Sequence, residues 1–310
     1  MRRILVALDG SPLAEAIVEP VRVFSTRLGA DIVLCHVVAV PEAAPDQTTP
    51  AAAQAIDLVV TRERKCAESY LESTAQGLRD AGVTVRTVTA AGDPATEIVR
   101  LAEREGADFI AIATHGRSGI GRWLYGSVAD AVLHSATTPI FLLRAPDGPT
   151  PPFDVRRVVV GLDGSEVAER ALPTAEEIAR RFHVPLAMVR VVETSTLAFA
   201  GDPAAGVYVD YQRILEMLRD GAAQYLDACA AGVRRRGITV ETIVAAGSAA
   251  DELVAQARVE SGTLLVLGTH GRSGWRAAAL GSVARRVALL ATSAVFLVRG
   301  HGAEPTSTKP

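Results

Sequence analysis

The chain has 310 residues, a formal net charge of −3, 49% hydrophobic residues and 22% charged residues. This balance is typical of a soluble globular protein with about two domains. Because there is no basic run, it gives no reason to expect binding to nucleic acid or to an anionic membrane surface.

The cysteines and the apolar segments indicate the compartment. The three cysteines are widely spaced, which argues against a disulfide framework or a zinc site and favours a reducing environment. The apolar run after Arg2-Arg3 is too short for a secretory signal, and the apolar region 287–298 is too short for a membrane span. We therefore expect a cytoplasmic protein without a membrane partner.

The first half alternates predicted strands and helices. Gly29 and Gly82 are typical helix ends, and Asp93 followed by Pro94 is typical of a helix start. Residues 39–53 are predicted as a loop. Apolar or β-branched runs predict strands at 4–8, 31–38, 83–90, 109–113 and 140–143, with helices at 12–28, 54–81, 94–105 and from 127 onward.

The second half repeats this order, with strands near 157–162, 185–192, 239–246, 264–267 and 294–298. Such alternation predicts parallel sheets with right-handed crossovers and helices on both faces. We predict an α/β protein of two tandem doubly wound domains, at 1–146 and 155–300. Residues 145–154 are predicted as a linker, and 300–310 as a disordered tail.

An internal repeat supports the duplication. The segment 114–119 (THGRSG) returns at 269–274, and in each copy nine residues separate its first glycine from a Gly-Ser-Val-Ala sequence. Residues 8–11 (LDGS) return at 162–165, and residues 90–92 (AAG) at 245–247. The period is too long for a solenoid, so the chain is predicted to contain a duplicated globular domain.

The repeated glycine loop is a candidate phosphate site. Glycines let backbone N–H groups approach phosphate oxygens, and the start of the next helix adds positive partial charge. A tight turn without a ligand is the alternative. Ser127 and Ser282 are expected to cap that helix and to offer a hydroxyl group, or to cap it and nothing more. Arg117 and Arg272 either contact phosphate or are solvated.

Two further residue pairs follow strands in both halves. Asp9 and Asp163 are expected to contact a ribose hydroxyl or a base, or else to be helix N-caps in competition with the nearby serines. His115 and His270 could act as bases, but no partner carboxylate or nucleophile repeats beside them, which favours a structural role. We therefore predict no catalytic residue and no protein-held metal.

Both halves resemble universal stress protein domains. Nucleotide-binding members of that family carry the signature G-x-x-G-x(9)-G-[ST] after strand 4. The second half matches it in full, and the first half departs once, with Ala113 at the first glycine. The matching residues are Gly268, Gly271, Gly281 and Ser282 in the second half, and Gly116, Gly126 and Ser127 in the first.

The resemblance implies a five-stranded parallel sheet in the order 3-2-1-4-5 in each half, with ATP bound at the ends of strands 1 and 4. Residues implied to face adenosine are Asp9, Val37, Asp163 and Val191. Residues implied to surround phosphate are Ala113, Gly116, Gly126, Ser127, Val128, Gly268, Gly271, Gly281, Ser282 and Val283.

The resemblance also implies a regulatory protein of the stress response that binds an adenine nucleotide with little or no hydrolysis. The alternative is a slow ATP hydrolase or phosphotransferase that uses Asp9 or Asp163 with Mg²⁺. A third interpretation is a scaffold that has lost its nucleotide. The family relationship further leads us to expect an intramolecular pseudo-dimer through the last strands of the two halves, with homodimerisation of the whole chain as an extension.

Overall fold

The computed structural model describes residues 1–40, 50–114, 126–145, 152–194, 211–269 and 280–299. The chain divides into two compact units, one built mainly of Met1–Val155 and the other mainly of Arg156–Ala291. The predicted tail at 300–310 lies outside the described residues.

The first unit is a parallel sheet with helices on both faces. Its strands are β1 (Arg3–Ala7), β2 (Asp31–Ala39), β3 (Val85–Gly92), β4 (Phe109–Thr114) and β5 (Ile140–Arg144), in the order β3-β2-β1-β4-β5. Its helices are α1 (Pro12–Glu15), α2 (Val18–Leu28), α3 (Pro50–Asp80), α4 (Pro94–Glu105) and α5 (Ser127–Ser135). Right-handed crossovers place α1–α3 on one face and α4 and α5 on the other.

The second unit repeats this topology. Its strands are β6 (Arg157–Gly161), β7 (Leu186–Glu193), β8 (Val240–Gly247), β9 (Thr263–Gly268) and β10 (Val295–Val298), in the order β8-β7-β6-β9-β10. Its helices are α6 (Glu166–Glu169), α7 (Ala171–Phe182), α8 (Tyr211–Arg235), α9 (Ala249–Arg258) and α10 (Ser282–Leu290). The predicted fold class and strand order are confirmed for both units.

Central strands supply the core because they are covered on both faces. In the first unit, Ile4 to Val6 and Phe109 to Ala111 are completely buried. The ring of Phe24 on α2 packs 4.9 Å from that of Phe141 on β5. Phe153, at the end of the predicted linker, lies 6.1 Å from Phe24, so this part of the linker packs on the first unit.

The prediction of a single helix at 12–28 is wrong, because this segment forms two helices, α1 and α2. Pro20 occupies the third position of α2. A proline there cannot donate to the carbonyl four residues earlier, and its ring clashes with that carbonyl, which belongs to Ala16. The backbone instead makes tighter bonds, from Ala16 to Leu13 and from Ile17 to Ala14, both 3.2 Å long. In the second unit Pro173 occupies the same position in α7.

Helices α2 and α7 both end in a left-handed residue, but the type of that residue differs. Gly29 closes α2 in the left-handed region at φ 67°, and the equivalent residue that closes α7 is His183 at φ 58°. A side chain with a Cβ atom is strained in this region, whereas glycine is not.

We therefore predict that His183→Gly stabilises the second unit by about 1 kcal/mol, because it removes this strain and the His183 side chain is exposed. The midpoint of urea unfolding should rise. The matched control is Gly29→His, which should lower the midpoint of the first unit. A lower midpoint for His183→Gly would contradict the prediction.

Candidate functional site

The site lies where the sheet reverses its direction of winding. In each unit the first strand lies between the second and the fourth, so the connections that leave the first and fourth strands turn to opposite sides. Ligands of open α/β sheets bind in the crevice outside the carboxyl ends of such strands. The described parts of the predicted site surround this crevice.

An aspartate forms the turn that leaves the first strand. In the first unit, Asp9 Oδ1 accepts a 2.9 Å hydrogen bond from the Ser11 N–H, and in the second unit Asp163 Oδ1 accepts one of the same length from the Ser165 N–H. The Ser165 hydroxyl also donates to Asp163 Oδ1 at 2.6 Å. These bonds fix the turn through Oδ1 and leave Oδ2 for another partner.

The serines, not the aspartates, are the N-caps of the first helices. Ser11 Oγ accepts from the Ala14 N–H at 3.1 Å, and Ser165 Oγ accepts from the Ala168 N–H at 3.2 Å. The expectation that Asp9 and Asp163 compete for this role is thus decided in favour of the serines.

Beyond the end of β1, strand β2 leaves main-chain groups facing the crevice. The last bond between the two segments runs from the Leu8 N–H to the Cys35 carbonyl, at 2.9 Å. Successive residues of a strand direct their N–H and C=O groups to opposite neighbours. Val37 therefore faces the same side as Cys35, but at its level β1 has already turned away.

The second unit repeats this geometry at Val191. The Leu162 N–H donates to the Val189 carbonyl at 2.9 Å, and Val191 follows two residues later on the same edge of β7. The N–H and C=O groups of Val191, like those of Val37, are thus available to a ligand that offers one acceptor and one donor.

Helices α5 and α10 begin with glycine. Gly126 is the N-cap of α5 with ψ 149°, and Gly281 is the N-cap of α10 with ψ 152°. Ser127 and Ser282 are the first helical residues, one position after the cap. The expectation that these serines cap the helices is wrong, because their backbone is already helical.

A glycine cap leaves the first amides of the helix uncapped. Glycine has no side chain that could accept from the next N–H groups. In α5 these groups belong to Ser127 and Val128, and in α10 to Ser282 and Val283. Both serines are exposed and both valines are half-buried. Such a helix start is an anion site when the crevice admits a ligand.

The Gly281 amide also joins the start of α10 to the residue that follows β9. It donates to the Thr269 carbonyl at 2.5 Å. The Thr269 N–H in turn donates to the Val298 carbonyl at 3.0 Å. The start of α10 is thereby held at the carboxyl end of β9, next to the crevice.

Ala113 and Gly268 occupy equivalent positions at the carboxyl ends of β4 and β9. Gly268 does not have a positive φ. A Cβ atom added there would lie 2.6 Å from the Val167 carbonyl oxygen and 3.2 Å from the Ala168 Cα, both in α6. The glycine is therefore required for close packing of α6 on β9, whereas the first unit accommodates the methyl group of Ala113.

The middle of each predicted phosphate loop lies outside the described residues. This applies to His115, Gly116, Arg117, His270, Gly271 and Arg272. Their assigned roles stay predictions from the sequence.

One repeated feature of the crevice was missed by the sequence analysis. A tyrosine of the long helix lies beside the strand residue just before Val37 or Val191. In the first unit, Tyr70 on α3 lies beside His36. In the second unit, Tyr225 on α8 lies beside Arg190. The signal was available, since the two tyrosines recur at the offset of the glycine loops. It is a weak signal, because an isolated tyrosine within a helix is usually a core residue.

Metal-binding clusters and membrane-spanning helices are both absent from the described residues. No group of three or more His, Cys, Asp or Glu side chains is arranged there to hold a metal ion. Within the same residues, no helix is both long and apolar enough to cross a membrane.

The sequence model of the universal stress protein family matches residues 1–144 and 154–299. The chain belongs to the universal stress protein family. A universal stress protein of Mycolicibacterium smegmatis is 28% identical over 301 residues, which is 96% of each chain. Universal stress protein MJ0531 of Methanocaldococcus jannaschii is 31% identical over 144 residues, or 46% of this chain and 82% of its own length.

A solved structure agrees with the fold. The crystal structure of a universal stress protein from Archaeoglobus fulgidus superimposes with a TM-score of 0.67 at 22% sequence identity, and the match covers 96% of this chain and 98% of that one. At this identity the likeness supports the tandem architecture of this universal stress protein and not its ligand.

The packing of Gly268 gives a test. We predict that Gly268→Ala destabilises the second unit by about 1–3 kcal/mol even without ligand, because the added methyl group meets backbone atoms that cannot rotate away. The free energy of unfolding in urea measures this cost.

The matched control is Ala113→Gly in the first unit. It removes a small side chain and should cost about 1 kcal/mol or less. Equal stability of Gly268→Ala and the unmodified chain would show that α6 can shift without cost.

Proposed function

We propose that this universal stress protein binds an adenine nucleotide, with ATP as the first candidate, at one site in each unit, and that it acts as a regulator with little or no hydrolysis. The observation that carries the proposal is the convergence of three kinds of group on one crevice in both units. These are unpaired strand-edge backbone groups, a carboxylate in a fixed turn, and a glycine-capped helix start.

Each kind of group matches one part of the ligand. Adenine has an amino donor next to a ring-nitrogen acceptor, which complements the C=O and N–H groups of Val37 or Val191. The free carboxylate oxygen of Asp9 or Asp163 suits a ribose hydroxyl. The first amides of α5 and α10 suit phosphate oxygens. AMP and a cyclic nucleotide offer the same kinds of group, so they are competing candidates for this crevice.

The alternative is a slow ATP hydrolase or phosphotransferase that uses Asp9 or Asp163 with Mg²⁺. That chemistry favours several carboxylates around the ion or a base that activates water. In the described part of each crevice, the carboxylate that repeats directly at the strand ends is that of Asp9 or Asp163, in the turn after the first strand (the Asp turn). This favours binding over turnover.

The first test blocks the helix start in one unit at a time. Gly281→Val places a branched side chain where phosphate approaches the backbone. Because φ at Gly281 is −58°, the backbone tolerates valine and the fold should survive. We expect the ATP affinity of the second unit to fall at least about tenfold, or 1.4 kcal/mol.

Calorimetric titration with ATP, AMP and a cyclic nucleotide measures the effect and ranks the ligands. Gly126→Val is the matched variant in the first unit, and each variant should remove one of two classes of site. If both variants bind ATP like the unmodified chain, the assignment is wrong.

The second test concerns turnover. We expect phosphate release from ATP to stay well below the ~1 s⁻¹ at the lower end of dedicated enzymes. In the described part of each crevice, the repeated carboxylates are already engaged, the aspartate with its own turn and the glutamate with the tyrosine of the long helix, so neither is set up to activate water. A phosphate-release assay with Mg²⁺ measures it. Several turnovers per second, abolished by Asp163→Asn or Asp9→Asn, would support the enzyme alternative instead.

A further inference from the structure

Each unit carries a second repeated cluster beside its Asp turn, which the proposed function does not use. It consists of a tyrosine from the long helix, a glutamate at the end of the first short helix, and the strand residue just before the proposed adenosine contact. The members are Glu15, His36 and Tyr70 in the first unit, and Glu169, Arg190 and Tyr225 in the second.

In the second unit this cluster holds a permanent positive charge at the crevice. The Arg190 guanidinium lies over the Tyr225 ring, 4.6 Å from its centroid. The Tyr225 hydroxyl donates to Glu169 Oε1 at 2.9 Å, which fixes the ring. Arg190 Nη1 lies 3.4 Å from where a Cβ atom of Gly164 would be, so the guanidinium borders the Asp163 turn.

The guanidinium can still donate hydrogen bonds to a ligand. Its contact with Tyr225 is a stacking contact, and stacking on an aromatic face uses no N–H donor. Arginine also stays charged at every physiological pH. The second crevice therefore offers a fixed cation beside the carboxylate turn.

In the first unit the same place is taken by a titratable group. The His36 ring lies edge-on to Tyr70, with centroids 6.3 Å apart and planes at 74°. Its Nδ1 atom is buried and has no hydrogen-bond partner among the described residues. The charges that face it are Asp9, from the turn after β1, and Glu63, from α3.

The environment keeps His36 neutral near pH 7. Burial lowers the pKa of His36, and this effect outweighs the opposing influence of Asp9 and Glu63. Burial, together with the negative charge of Glu15, raises the pKa of Tyr70 to about 12, so Tyr70 carries no charge there. Around pH 7, position 36 thus lacks the cation that position 190 always supplies.

We propose that positions 36 and 190 set different affinities for polyanionic nucleotide in the two units, with Arg190 strengthening binding at every pH and His36 strengthening it only when protonated. The first unit then binds ATP more weakly at neutral pH and gains affinity on acidification, whereas the second does not. This inference rests on the proposed function.

The direction of the pH effect follows from proton linkage. A bound polyanion favours the charged imidazole and raises the pKa of His36, so binding takes up a proton. The affinity of the first unit should therefore rise as pH falls through the pKa of the bound state, and level off below that of the free state. Adenosine carries no phosphate charge and should show no such rise.

The experiment uses the full chain with one site silenced. In Gly281→Val, where the affinity of the second unit is at least about tenfold lower, calorimetry with ATP is run near pH 8 and near pH 5.5. The ratio of ATP affinity at pH 5.5 to that at pH 8 should be at least about threefold larger with His36 than in the same chain carrying His36→Gln. Protonation of the terminal phosphate occurs in both chains and cancels in the comparison.

A reciprocal variant guards against misfolding of His36→Gln. In Gly126→Val, where only the second unit binds, Arg190→His should lower ATP affinity near pH 8 and introduce the acid gain. In the unmodified chain, the imidazole NMR signal that His36→Gln removes should titrate at higher pH with ATP than without it, and adenosine should not shift it.

The outcomes separate the two hypotheses. Absence of ATP binding at both pH values in the unmodified chain would overturn the proposed function. ATP binding with the same acid gain before and after the His36→Gln substitution, and with an unmoved His36 titration, would overturn this inference alone.

Discussion

The unequal length of two neighbouring strands is the constraint on which the site depends. Strand β1 ends at Ala7 while β2 continues to Ala39, and β6 ends at Gly161 while β7 continues to Glu193. The longer strand thus presents backbone groups with no strand beside them, although such groups need hydrogen-bond partners. The Asp turn forms where the shorter strand ends. The glycine-capped helix follows the strand that flanks this shorter strand on its opposite edge, which is β4 in the first unit and β9 in the second.

Beside this gap, the second unit has two positions that cannot hold a Cβ atom in the present packing. It has Gly161 and Gly268 where the first unit has Ala7 and Ala113. A Cβ atom at Gly161 would lie 2.8 Å from the Leu267 side chain, and one at Gly268 would meet the backbone of α6. The signature glycine of β9 therefore has a packing role before any ligand is considered. The presence of alanine at the equivalent position 113 therefore does not by itself indicate a weaker nucleotide affinity in the first unit.

Local sequence signals were reliable where the chain itself decides the conformation. Asp93 caps α4, with its side chain accepting from Thr96, as the Asp-Pro pair predicts. Signals failed where neighbouring segments compete. The helix predicted at 12–28 breaks because Pro20 lies within it, and Ser127 is helical because Gly126 before it takes the extended cap conformation. The choice between adjacent cap candidates depends on how the loop arrives from β4, which periodicity does not encode.

The sequence by itself determined the duplication, the alternation of strands and helices, and the identity of the loops that follow the first and fourth strands, because repeats and hydrophobic patterns are local properties of the chain. Only the tertiary structure decided that Val37 and Val191 face an open sheet edge, since this depends on where a neighbouring strand ends. It also placed Tyr70 beside His36, and Tyr225 beside Arg190, because α3 and α8 reach these strands only through packing. Long-range register and helix docking leave at most a weak signature in a single sequence, such as the recurrence of the two tyrosines, and they complete the site.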